Sequence, residues 1–161
     1  MRETAQPPIW RVLAAFAGAP FAAALVLACV QPAYDGLPSM VDRIFRTFLL
    51  YLFIGACPPT VLVGLPTYLI LRKRLRPTPL NCALAGAAVA SLPWLLLAVV
   101  LPDADYAFDS GHVSVERGQR TLWGWLDLGT ALGWLALLGL FAGLVFWVIA
   151  AAGWKASPKT A

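Results

Sequence analysis

The 161-residue chain is 60% hydrophobic and 12% charged, with a mean hydropathy of +0.75, whereas a soluble domain is roughly 45–50% apolar and about 25% charged. That balance excludes an ordinary water-soluble enzyme or binding module and indicates an integral membrane protein. At about 20 residues per crossing, the length holds four spans within one domain, residues 1–161.

The net charge of +4 and the pI near 9.3 would suit nucleic acid if the charges formed a reading surface. They do not. Eight of the 12 basic residues (Arg2, Arg11, Arg72, Lys73, Arg74, Arg76, Lys155 and Lys159) fall in three segments that alternation places on one side of the membrane. Lys- and Arg-rich loops are retained on the cytoplasmic side during insertion, and they are attracted to anionic lipid there. The cluster Arg72, Lys73, Arg74 and Arg76 therefore sets the topology and contacts lipid. Nucleic-acid binding is not expected.

The first apolar run, Ile9 to Val30, reads as a span starting inside. A cleaved signal peptide is the rival reading, but the run is long for a signal core. Residues 31–43 carry Pro32, Gly36 and Pro38 and form a short outer loop. The second span, residues 44–71, exceeds the length of a perpendicular crossing and contains Pro58-Pro59, Gly64 and Pro66. It is expected to be kinked and to free backbone carbonyls.

An inner loop, 72–79, leads to a third span over 80–101, lined early with Ala83, Gly86, Ala87 and Ala90. Residues 102–126 form an outer loop. Turn residues at Asp109-Ser110-Gly111 and Arg117-Gly118-Gln119 flank the alternating Val113-Ser114-Val115, which predicts a small β-hairpin on the outer surface with Trp123 and Trp125 at headgroup depth.

The fourth span, 127–154, carries small residues on one helical face at Gly129, Gly133, Ala136 and Gly143, and bulky ones opposite at Trp134, Leu138, Phe141, Val145 and Ile149. The small stripe marks a packing seam, against another span or against a second copy in a homodimer. The expected fold is all-α: a four-helix transmembrane bundle with both termini cytoplasmic.

Candidate chemistry is sparse. Cys29, Cys57 and Cys82 lie at different depths and are not expected to pair. His112 and Glu116, with Asp103, Asp105 and Asp109, are the one concentration of metal-binding or acid–base groups, but a single histidine among scattered carboxylates argues against zinc. No phosphate loop, nucleophile elbow or helical zinc motif occurs in the sequence. No ionisable residue falls clearly at mid-depth, which counts against active transport. No cofactor, metal or enzymatic activity is expected.

At Gly64-Leu65-Pro66-Thr67-Tyr68-Leu69-Ile70-Leu71-Arg72, followed by the basic turn and the Ala/Gly-rich third span, the sequence resembles small bacterial inner-membrane proteins of unassigned activity that carry a Gly-Leu-Pro stretch before an Arg-rich hairpin. In thread alone it is similar to the four-span immunity proteins that protect bacteria from pore-forming toxins.

The resulting expectation is a multi-pass protein of the bacterial inner membrane, non-enzymatic and accessory. It would bind a membrane or periplasmic partner through the outer loop, at Asp103, Asp109, His112, Glu116 and Arg120, and through grooves between its spans. The alternative is a passive pore or small permease subunit built on the kinked second span, which requires a continuous polar path.

Overall fold

The computed structural model describes residues 7–34, 36, 38–72, 77–101, 106–109 and 111–152. The chain is mostly helical, with four helices long and apolar enough to cross a membrane: α1 (Ile9–Val30), α2 (Met40–Leu71), α3 (Pro79–Val100) and α4 (Leu122–Ala150). A small antiparallel sheet, β1 (Tyr106–Asp109), β2 (His112–Glu116) and β3 (Gln119–Arg120), fills the segment between α3 and α4.

The helices pack on one another chiefly through four pairings, and α2 also reaches α4 where Tyr68 meets Phe146. α1 meets α2 and α4, α4 meets α1 and α3, and α3 closes on α2. α1 buries a ladder of small residues, Ala15, Ala19, Ala24 and Ala28, together with Pro20. Ala24 and Ala28 receive Phe48 from α2, and Phe21 meets the Phe48 ring edge-on at 4.9 Å between centroids. Beside this cluster Thr47 is fully buried, and its Oγ1 accepts the Ala33 N–H at 2.9 Å. That bond fastens the 31–39 connection to the helix that follows it.

α2 is wound unevenly, as its prolines require. A proline ring presses on the carbonyl four residues back and offers no N–H in return. Here wide i→i+5 turns span Tyr51–Ala56 and Thr60–Gly64, the first just before Pro58-Pro59 and the second just before Pro66. Cys57 N–H donates to Leu52 O, and Leu65 N–H donates to Thr60 O. Single wide turns of this kind recur at functional sites.

The closest approach is between α3 and α4. A methyl added to Gly139 would lie 2.8 Å from Ala87 Cα, and one on Gly143 would lie 2.8 Å from Ala83 Cα. On the facing helix, a methyl on Gly86 would reach 2.9 Å from Gly143 N and collide with the Gly139 carbonyl. Backbone meets backbone here because both helices present small residues, which is how membrane helices gain dispersion contacts where no hydrophobic drive exists between them.

α3 starts within one residue of its expected position, whereas α2 and α4 start earlier than 44 and 127. α2 begins at Met40, where Ser39 Oγ accepts the Asp42 N–H at 3.5 Å as an N-cap, so the outer loop is shorter than 31–43. α3 begins at Pro79, behind Thr78, whose Oγ1 accepts the Asn81 N–H at 3.2 Å. α4 begins at Leu122, five residues before the expected start, because Thr121 caps it. The expected end of that helix, at 154, lies outside the described residues.

Candidate functional site

The ring of helices surrounds a cavity of about 390 Å³ lined by residues from all four. Ligand sites typically occupy roughly 300–1,000 Å³. The wall is carbon for most of its length. α1 supplies Phe16, Ala19 and Ala23, α2 supplies Gly55, Ala56 and Pro59, α3 supplies Ala85, Val89 and Trp94, and α4 supplies Leu135, Leu138 and Ala142.

Polar atoms gather on the α2 side and at the end near Arg72. Thr60, Thr67 and Tyr68 line the cavity from α2, as does Tyr51 farther along, Asn81 and Cys82 line it from α3, and Arg72 stands at one end with its side chain exposed. The hydroxyls of Thr60, Thr67 and Tyr68 make no hydrogen bond among the described residues.

An aromatic trio shapes this end. The Phe16 ring meets Tyr68 at 5.6 Å and Phe146 at 5.1 Å, both edge-on, and Tyr68 lies 5.9 Å from Phe146. Edge-to-face contacts of this type add about 0.5–1.5 kcal/mol beyond area burial, so α1, α2 and α4 are held together where their backbones diverge. Trp147 Nε1 donates to Pro77 O at 3.0 Å, and Arg11 Nη2 donates to Ala152 O at 3.4 Å, which ties the same end together.

The sheet forms a second feature at the other end. In β1–β2, Tyr106 pairs with Glu116 and Asp109 with His112, with an irregularity between Ala107 and Phe108. In β2–β3, Glu116 pairs with Gln119 across Arg117 (φ +51°) and Gly118 (φ +72°), a two-residue loop whose left-handed conformations match the strand twist. The expected hairpin is thus present and carries a third short strand.

Thr121 joins the sheet to α4. Its Oγ1 donates to Val113 O at 2.6 Å and accepts the Gly124 N–H at 3.3 Å, while its own N–H donates to Ser114 O at 3.0 Å. Gly124 packs against the Ser114 backbone so closely that a methyl there would lie 3.0 Å from the Ser114 carbonyl carbon.

The residues expected to bind a partner fall as follows. His112 is exposed and stacks flat on Trp123, with centroids 4.1 Å apart and planes 8° apart. Arg120 is half-buried, with its guanidinium 5.7 Å from the Trp125 ring centroid. Glu116 is exposed on β2, and the backbone of Asp109 ends β1. Asp103 lies outside the described residues, as do Lys73, Arg74 and Arg76 of the basic turn. The structure brings His112 and Arg120 each onto a tryptophan of α4 rather than onto one another. Among the described residues no cluster of three His, Cys, Asp or Glu could hold a metal. Cys29, Cys57 and Cys82 are free thiols.

The packing stripe needs correction. Gly143 lies in the seam with α3, but a methyl on Gly129 or Gly133 would meet nothing within 4 Å, and both residues are exposed. Ala136 is half-buried. Gly139, which the expected stripe omits, is the second seam residue. The bulky face is not wholly turned to lipid either, since Ile149 packs on α1, where a methyl on Gly18 would lie 2.7 Å from its Cδ1. Gly139-Leu140-Phe141-Ala142-Gly143 carries the small-x-x-x-small spacing that could have revealed the pair.

Comparisons with protein-family models, curated proteins and solved structures find no match to this chain.

Proposed function

We propose that this is a non-enzymatic accessory protein of a bacterial inner membrane, a four-helix bundle with both ends cytoplasmic, which receives an apolar partner in the groove between its spans. The observation that carries the reading is the largely carbon-lined cavity bounded by all four helices, with Thr67, Tyr68, Arg72, Asn81 and Cys82 grouped toward one end. An apolar groove of this kind recognises by shape and dispersion. The sheet end, with His112 and Arg120 held on tryptophans, supplies a second, outer contact surface.

The orientation follows from the cationic turn, which places the Arg72 end in the cytoplasm and the sheet outside. A water-filled pore is the weaker reading. It needs a continuous polar lining, and most of the wall is carbon, with its polar residues separated by Ala, Val, Leu and Phe.

Two measurements test the proposal. A fluorescent reporter fused beside Arg74 is expected to light up only in the cytoplasm. A photoreactive side chain at Ala85, inside the groove, is expected to capture one defined species in native membranes, whereas the same group at the lipid-facing Leu62 gives diffuse lipid adducts. Indistinguishable products at the two positions would remove the groove as a binding site.

A further inference from the structure

We infer that the occupant of the groove is one acyl chain of an anionic phospholipid from the cytoplasmic leaflet, with its phosphate drawn to Arg72 and the neighbouring hydroxyls. The inference rests on the groove reading above and names what fills it.

Three observations converge on that chemistry. The first is the lining: a cavity of about 390 Å³ that is carbon over most of its wall, with room for a hydrocarbon chain, and whose polar residues Thr67, Tyr68, Arg72, Asn81 and Cys82 group toward one end. An amphiphile has this distribution of surface, whereas a partner helix, apolar along its whole length in the membrane, gains nothing from a polar mouth.

The second is charge. Arg72 is an exposed cation at that end, and Thr67 and Tyr68 line the cavity beside it with hydroxyls that have no hydrogen-bond partner among the described residues. A phosphate oxygen accepts from all three donor types, and a charged acceptor strengthens each bond. A zwitterionic headgroup would bring its own cation against Arg72.

The third is access. α2 approaches α3 through the wide turn at Thr60–Gly64, where a methyl on Gly64 would stand 3.5 Å from Val89 Cγ1. From there to Leu71 the helix makes no comparable run of contact with α3. On the α1 side the gap is bridged by the Phe16 and Tyr68 rings. On the α3 side it is lined by the short side chains of Asn81 and Ala85. The α2–α3 side is thus the more thinly covered flank of the cavity over Leu65–Leu71, and it is the side from which a chain would enter.

The test uses the full-length protein, purified in mild detergent, washed free of lipid and offered equal amounts of phosphatidylglycerol and phosphatidylcholine of the same chain length, with bound lipid counted by native mass spectrometry. One retained phosphatidylglycerol is expected, preferred about fivefold over phosphatidylcholine, the ratio that one cation near a phosphate contributes. Arg72→Gln should bring the two lipids to parity, and Ala85→Trp should abolish retention.

Because Ala85→Trp could fail to fold, the unsubstituted protein is also irradiated with phosphatidylglycerol carrying a photoreactive group in its acyl chain. Adducts should concentrate on Thr67, Ala85 and Phe146 over the lipid-facing Leu62, Leu84 and Leu144. An even spread, or retention without preference and insensitive to Arg72→Gln, would overturn the lipid assignment. A polypeptide captured at Ala85 in place of lipid would overturn it too while leaving the groove reading intact. No occupant of any kind would remove both.

Discussion

α4 carries two Gly-x-x-x-Gly pairs, Gly129/Gly133 and Gly139/Gly143, with the same spacing on the same helix but opposite surroundings. The second pair is buried against the backbone of α3, and the first faces open space. The difference lies in the facing helix. Opposite Gly139 and Gly143, α3 presents Cys82, Ala83, Gly86, Ala87 and Ala90, so backbones can meet; toward its other end it turns to Pro93, Trp94, Leu95 and Leu96. Spacing on one helix permits a close contact, and small residues on both helices are needed to make one. The N-terminal half of α4 is held instead by the sheet, through Thr121 and Gly124.

This contrast can be broken by substitution. Gly143→Leu should be the most harmful change, because its side chain must displace the backbone at Cys82 and Ala83. A loss of about 3 kcal/mol or more is expected in reversible unfolding in mixed detergent. Thr121→Ala removes both the helix cap and the clamp on β2 and should cost about 1–2 kcal/mol. Amide exchange should rise at Val113–Glu116, and Thr121→Ser should restore most of the protection.

His112→Ala removes the ring stacked on Trp123 and should cost about 0.5–1.5 kcal/mol, with a change in tryptophan emission. Gly133→Leu should be the mildest, within about 0.5 kcal/mol of the parent. If Gly133→Leu proved as harmful as Gly143→Leu, or abolished a crosslinked dimer, a second copy would be shown to occupy that face.

The four spans were readable from hydropathy because a membrane helix must satisfy its own backbone over about 20 apolar residues. The turns of the sheet were equally legible, since Gly111 and Gly118 adopt positive φ at the expected positions. The start of α4 was less so. Asp127 looks like a boundary charge, and the Thr121 cap is visible only once its hydroxyl is placed between β2 and Gly124.

Within the chain the seam lies at Gly139 and Gly143 rather than at Gly129 and Gly133, because a stripe on one helix says nothing about its partner. The cavity was hidden for a related reason. Pro58-Pro59 and Pro66 announced an irregular helix, but the space that irregularity leaves depends on where α1, α3 and α4 stand around it. The polar path that a pore requires was an expectation drawn from freed carbonyls, whereas the wide turns re-pair Leu52 O and Thr60 O within α2 itself.

The hydroxyl of Thr121 belongs at once to the first turn of α4 and to the edge of β2. Since the same helix packs on α3 at Gly139 and Gly143, nearer its other end, the strands sit on the longer arm of α4 beyond that contact. A tilt of α4 about that contact would swing the end that carries His112 and Glu116, so the fit around the glycines bears on where those strands stand.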